Sequence, residues 1–201
     1  MLVLAFDTAT TTATAALVRD GETLGERTTT ARTLLRDFEE LVDAAAIERG
    51  TIEGIVVGTG PGSYTSLRMG LVTARVLSLA LSAPVAGVST LAALRAGSNG
   101  ALPVIDGRRH EVFTLAPEPI CVAAEALSVE RGSVCVGDGA KRYRALLESA
   151  GATVPPDSDP RHVPWARFHA ELARDFGPAE LAEPLYLRAP DADRALKRSE
   201  A

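Results

Sequence analysis

The residues best suited to chemistry are gathered in Gly58-Thr59-Gly60-Pro61-Gly62-Ser63-Tyr64-Thr65, where glycines alternate with small or rigid residues and hydroxyls follow. Glycine tolerates positive φ and lets the backbone approach another group closely. Pro61 fixes φ and removes a donor, and Ser63 or Thr65 can cap the first amides of a helix. Such a turn aims N–H groups and the positive end of a helix dipole at one spot, which suits an anion. Two readings stand: an anion site built on Gly60, Gly62, Ser63 and Thr65, or a tight, well-capped turn. A P-loop is excluded, because no Gly-Lys-Ser/Thr follows. Elsewhere the reactive side chains are sparse. Cys121 and Cys135 lack CxxC spacing, so neither a zinc knuckle nor a redox pair is indicated. His162 stands in a loop without an acidic or His partner at ligand spacing. His169 falls in an Ala/Leu-rich helical segment and reads as a packed or exposed histidine rather than a ligand.

The elements around the glycine turn follow from periodicity. Ile52 to Val57 is a β-branched run that predicts a strand buried on both faces, and Ser66 to Ser82 predicts a helix. Pro84 to Val88 completes a βαβ unit, and Ser89-Thr90 caps a short helix through Leu94. Upstream, Leu2 to Asp7 is an apolar strand ending in a carboxylate, followed by a Thr-rich turn into Ala13 to Val18. Asp20-Gly21 then makes a hairpin into Glu22 to Thr28. Leu34, Phe38, Leu41, Val42 and Ala45 form one helical stripe, with Thr33 as N-cap and Gly50 as stop. Gly97-Ser98-Asn99-Gly100 is the clearest break, which divides the chain into lobes 1–98 and 99–201. The second lobe opens as the first does: a strand ending at Asp106, a turn, and a returning strand from Glu111 to Leu115. Ser133 to Gly137 predicts a strand, Ala140 to Ser149 a helix, Gly151 to Pro160 a loop, and Trp165 to Phe176 a helix. Residues 189–201 are expected to fray.

At 201 residues, 46% hydrophobic and 23% charged, the chain has the make-up of a soluble globular protein. Its net charge of −5 argues against gripping nucleic acid through its own surface, which needs clustered cations. No apolar run is long enough to span a bilayer and no charged-then-apolar leader precedes the first strand, so a cytoplasmic, membrane-free protein is expected.

The run from Gly58 to Gly70, Gly-x-Gly-Pro-Gly-Ser-Tyr-Thr-x-Leu-Arg-Met-Gly, resembles the signature of the bacterial TsaB (YeaZ) proteins of the TsaD/Gcp group. Members more often carry Phe at position 64, Gly at 66 and Ile at 69. Asp106-Gly107-Arg108-Arg109 resembles that family's Asp-Ala-Arg-Arg, and Pro184-Leu185-Tyr186-Leu187-Arg188 its Pro-x-Tyr-Leu-Arg ending. Pro61, Tyr64, Leu67, Arg68, Asp106, Arg108, Tyr186 and Arg188 thus stand at motif positions. The family's usual His-Ser-Glu is missing, with Ala31-Arg32-Thr33 in its place.

The resemblance implies a two-lobed actin-like α/β fold with a reduced second lobe. In such folds the hydroxyls and amides after the first strand face phosphate, and the strand-end Asp orients metal or water. Asp7, Thr8 and Thr10 therefore join the glycine turn as a candidate nucleotide loop. The second clamp carries Arg108 and Arg109 where a working loop would carry Gly-Gly or Gly-Thr. The expectation is therefore no tightly bound cofactor, at most weak ATP or ADP binding, and no catalytic residue. Catalytic paralogues bear a His-x-x-x-His pair, but this chain has no histidine before His110, so no metal is expected. The implied role is a non-catalytic subunit in making the threonylcarbamoyl modification of adenosine in tRNA. It would act as partner of a TsaD-like paralogue with a TsaE-like ATPase and meet tRNA only through that complex. The alternatives are a glycoprotease-like hydrolase, which needs a nucleophile–base pair, and a small-molecule kinase, which needs both phosphate loops. A small-residue row Gly70, Ala74, Ser78, with Phe38 and Leu41 of the preceding helix, is expected to face the partner, or a second copy in a homodimer.

Overall fold

The computed structural model describes residues 1–188; the tail expected to fray lies outside them. Its main sheet runs in the order β3-β2-β1-β4-β5, from β1 (Leu2–Asp7), β2 (Ala13–Arg19), β3 (Glu22–Thr29), β4 (Gly54–Gly58) and β5 (Val85–Val88). β1 lies antiparallel to β2 and parallel to β4, and β4 parallel to β5. Every residue of β1 and β4 is buried, which explains their unbroken apolar runs. Asp20 and Gly21 both take positive φ, 51° and 85°, as a two-residue hairpin turn requires.

Two helices cover one face. In α1 (Leu34–Ala44) the predicted stripe Leu34, Phe38, Leu41 and Val42 packs on Phe6, Leu17 and Val57. Gly50 is not its stop. Ala46 turns the chain at φ 52°, and the Ala46 and Ile47 amides donate to the Asp43 and Val42 carbonyls. Ile47 then anchors against the core, and Gly50 lies in a separate 3-10 turn. Thr33 precedes α1 without a side-chain cap; its hydroxyl faces Thr29 and Thr30 instead. Helix α2 (Tyr64–Leu81) follows, with Ser63 at its N-cap, and α3 (Thr90–Ala96) is capped by Ser89.

The second lobe is small. β6 (Leu102–Pro103) pairs in parallel with β10 (Cys135–Val136), and β7 (Ile105–Arg108), β8 (Glu111–Leu115) and β9 (Pro119–Ala123) form an antiparallel sheet. β9 has no counterpart among the sequence expectations; its pairing with β8 makes it a strand. The expected helix 140–149 is two, α4 (Asp138–Arg142) and α5 (Arg144–Ser149), broken at Tyr143 (φ −106°, ψ 25°). There the Arg144 guanidinium turns to the Val154 and Pro155 carbonyls.

The last helix, α6 (Ala166–Leu172), returns to the other face of the main sheet. Ala166 and Ala173 meet Ala5, Ala16 and Ala86, small residues that allow close approach. It is shorter than the expected 165–176, because Ala173 turns extended and Gly177 then pairs with Val85 at the edge of β5. Residues 166–182 thus belong spatially to the first sheet although they follow the second lobe in sequence.

Candidate functional site

Between the lobes lies a cleft of about 650 Å³. The turn after β1 (Thr8 to Thr11), the start of α2 (Gly62 to Ser66), Asp106 and Arg108, Asp138, and the segment Leu185–Arg188 line it. Five segments distant in the sequence are thereby brought together.

Asp7 is not on its wall. Both it and Thr8 are buried, with Asp7 fully inaccessible. The Ala9 amide donates to Asp7 Oδ1 at 2.6 Å, and the Thr90 hydroxyl to Oδ2 at 2.5 Å. His169 Nε2 lies 2.8 Å from the same Oδ2. The Asp7 carboxylate is thus engaged by three internal partners and lies behind the cleft lining rather than in it. The neighbouring hydroxyls are also engaged: Thr8 donates to the Ser66 carbonyl at 2.7 Å and Thr10 to that of Thr12 at 2.9 Å.

The glycine turn packs on this first loop. A Cβ at Gly58 would overlap the Asp7 carboxylate, and one at Gly62 would overlap the Ala9 carbonyl. The Ser63 amide donates to that carbonyl at 2.8 Å, while the Gly60 carbonyl accepts from the Thr90 amide at 2.8 Å. Close packing therefore accounts for the spacing of the glycines. Pro61 and Leu67 are buried beneath the turn, and Ser63 and Thr65 are exposed at its surface.

The remaining motif residues meet across about half of the chain. Tyr64 stacks on Tyr186 with ring centres 5.0 Å apart. The Arg68 guanidinium lies 4.4 Å from the Tyr64 ring centre and donates to the Tyr186 hydroxyl at 3.3 Å. Arg188 donates to the Gly107 carbonyl at 2.7 Å and pairs with Glu111 at 2.6 Å. The C-terminal motif therefore touches both earlier ones. Asp106 accepts from the Arg108 amide at 2.9 Å and faces the Arg108 and Arg142 guanidinium groups, each at 3.4 Å. Arg108, Arg109 and His110 carry φ of 62°, 51° and 61°, left-handed backbone that glycine would adopt freely.

The small-residue row does not face outward, contrary to expectation. Gly70 and Ala74 are buried, and a Cβ at Gly70 would meet the Thr8 hydroxyl. Ser78 donates to the Ala83 carbonyl at 2.7 Å, and Phe38 and Leu41 are core residues. The outer face of α2 instead carries Met69, Val72, Val76 and Leu79, with relative exposures of 41%, 56%, 56% and 86%, and Leu35 on α1 is exposed too. These apolar residues at positions 69, 72, 76 and 79 form one helical seam.

Three polar groups matter that sequence reading passed over. Thr90 had read only as a cap and His169 only as packing. His162, buried, accepts from the Gly137 amide at Nδ1 (3.1 Å) and donates from Nε2 to the Pro155 carbonyl (3.0 Å), which fixes the turn before Asp138. Only the type of these residues, not their spacing, could have flagged them. His110 faces Glu125 at the surface. Among the described residues no three His, Cys, Asp or Glu side chains cluster as a metal site would need. Asp159, bonded to Arg161, is held down at about 2, and burial pushes the Cys135 thiol up.

The chain matches the family model of TsaD, tRNA N6-adenosine threonylcarbamoyltransferase, over residues 29–144. An uncharacterized Mycobacterium tuberculosis protein is 35% identical over 94% of this chain and 93% of its own length. The tRNA threonylcarbamoyladenosine biosynthesis protein TsaB of Escherichia coli is 36% identical over 56% of this chain and 53% of that protein. Among solved structures, YeaZ from Pseudomonas aeruginosa superposes with a TM-score of 0.78 at 26% identity, over 92% of this chain and 99% of that one. An activator of 2-hydroxyisocaproyl-CoA dehydratase from Clostridium difficile shares the fold alone, with a TM-score of 0.51 at 14% identity, over 98% of both chains.

Proposed function

The chain belongs to the TsaD-like family, in its TsaB (YeaZ) branch with the actin-like fold, and from that premise we propose that it is a non-catalytic subunit of the machinery for tRNA threonylcarbamoyladenosine synthesis. Its task is to hold a TsaD-like paralogue, which performs the transfer, together with a TsaE-like ATPase. It works in the cytoplasm and meets tRNA through the complex, as its net charge of −5 favours.

The observation that carries this reading is the apolar seam Met69, Val72, Val76 and Leu79 on α2. A helix that already buries Leu67, Leu71 and Ala74 against its own sheet gains nothing within the monomer from a second apolar face. A partner of the same fold can lay an equivalent helix along it, and a second copy takes that place when no partner is present. The cleft supports the non-catalytic part, since Asp7 and Asp106 are both tied into internal contacts.

The test is depletion of this chain in its own cell, with mass spectrometry of tRNA nucleosides and affinity purification of the tagged protein. Threonylcarbamoyladenosine should fall, the TsaD-like paralogue should co-purify, and Leu79→Glu should abolish both capture and rescue. Unchanged modification after depletion would overturn the proposal.

A further inference from the structure

The turn joining β7 to β8 breaks a local rule. Arg109 and His110 form a two-residue loop between the paired residues Arg108 and Glu111, and both take positive φ, 51° and 61°. Asn-Gly or Asp-Gly is the usual filling of such a loop, because glycine enters the left-handed region without the clash that a Cβ makes. The Asp20-Gly21 hairpin of the first lobe follows that rule. Here Arg108, at φ 62°, extends the left-handed run to three residues, none of them glycine. Strain of this kind persists only where surrounding contacts impose it, and it collects at sites that bind.

The turn is held from both sides. Asp106 accepts the Arg108 amide at 2.9 Å, Arg188 donates to the Gly107 carbonyl at 2.7 Å, and the His110 carbonyl accepts the Ala124 amide at 2.7 Å. Arg108, Arg109 and His110 are nevertheless all exposed. The charges are layered. Asp106, with 6% of its side chain accessible, lies beneath Arg108 and Arg142, which are 63% and 51% exposed. The carboxylate is therefore inside and the guanidinium groups outside, so the face turned to solvent is cationic although the charges pair. Lys141 stands beside Arg142 on α4. The acids that face the tip are Glu125, 3.8 Å from His110, and Glu111, which pairs with Arg188. Arg109 and His110 lie outside the lining of the interlobe cleft.

We propose that the β7–β8 tip is a docking point for the sugar-phosphate backbone of RNA, with Arg109 and Arg108 as its phosphate contacts and His110 beside them. A guanidinium fork matches phosphodiester oxygens in two parallel hydrogen bonds, and a rigid turn spares the cost of ordering it on contact. Such contacts position an RNA without reading its sequence. The choice of RNA rests on the tRNA reading above: within that assembly, the tip is where this chain itself touches tRNA. At a net charge of −5 the rest of the surface adds little attraction, so the contact is weak outside the assembly and strengthens at low salt.

The test is titration of labelled tRNA with the full chain, read by fluorescence anisotropy from low to physiological salt. The double variant Arg109→Asn with His110→Gly gives the loop its ordinary filling. It should keep or raise Tm, since strain is relieved, yet bind tRNA more weakly. Its plot of log affinity against log salt should flatten by about one, the share of one phosphate contact. Arg108→Gly should flatten the plot by a similar amount, while Arg109→Lys, which keeps the charge, should leave the slope unchanged. Should the double variant unfold, Arg109→Gln decides, because it removes the charge alone. Equal affinity and slope in wild type and the folded variants would refute the proposal, as would no binding by the wild type at low salt. A tip that loses an acidic protein on substitution but keeps tRNA would refute it too. The measurement needs no partner. Binding lost with Arg109 while tRNA modification survives depletion would sink the subunit role and leave the tip standing; the reverse would sink the tip alone.

Discussion

His169 Nε2 lies 2.8 Å from Asp7 Oδ2, with both side chains fully inaccessible to solvent. One residue ends the first strand and the other sits on the last helix, 162 positions later. The pair, with Thr90, ties α6 and α3 to the C-terminal end of the central strand β1, at the point where an actin-like fold would open its cleft. In this chain the strand-end carboxylate is a fastening between elements.

Asp7→Ala should therefore act on stability. It strands the His169 ring and the Thr90 hydroxyl in a dry interior, and breaking a buried pair from one side costs about 3–5 kcal/mol. Thermal denaturation should show a large fall in Tm, with His169→Ala close behind. A normal Tm combined with altered nucleotide binding would return Asp7 to the site.

On α2 the inner and outer faces should separate cleanly. Leu79→Glu and Val76→Glu lie on exposed positions, so each should change stability by no more than about 0.5 kcal/mol while abolishing association. Ala74→Leu fills a closed core position and should destabilise by about 1–3 kcal/mol through overpacking. Size-exclusion chromatography with light scattering, read beside Tm, distinguishes them. Glu variants that still associate would show the seam to be idle.

Arg188 crosses from the C-terminal segment to the second lobe, where it meets Gly107 and Glu111. On the same segment, the Leu185 amide donates to Thr59 of the first lobe at 2.8 Å, and Tyr186 stacks on Tyr64. Arg188→Ala removes a charged hydrogen bond and should cost about 1.5–3 kcal/mol. Hydrogen exchange should quicken in residues 106–111 and 185–187 together, while β1 and β4 stay protected. Exchange that quickens in neither segment would mean that the strap holds nothing.

Asp159 provides a pH signature. Its bonds with the Arg161 side chain and amide hold it at about 2, below the ordinary 3.8. A depressed folded value means its contribution is complete above about pH 4 and is lost as pH falls from there through about 2. Asp159→Asn should therefore lower Tm at pH 6 and have only a small residual effect at pH 2. An equal loss at both values would show that the carboxylate's charge is not what matters.

Much of the frame was legible in the sequence because local patterns encode it. The β1 and β4 runs, the Asp20-Gly21 hairpin, the βαβ unit through α2 and the α1 stripe each depend on neighbours within a few residues. The motif spelling likewise pointed to the family that the comparisons show. Tertiary structure alone decided what the polar residues do. Nothing near Asp7 in sequence announces that Thr90 and His169 will close over it. Nothing near Gly70, Ala74 and Ser78 says that the small row faces in and the Val72–Leu79 row faces out, since the helix is apolar on both sides. The β9 strand and the early end of α6 were set in the same way, by the pairing of distant backbone at β8 and at Val85. Burial and hydrogen-bond partners are properties of contacts between distant segments, so a side chain's chemistry is undetermined until the fold has placed its neighbours.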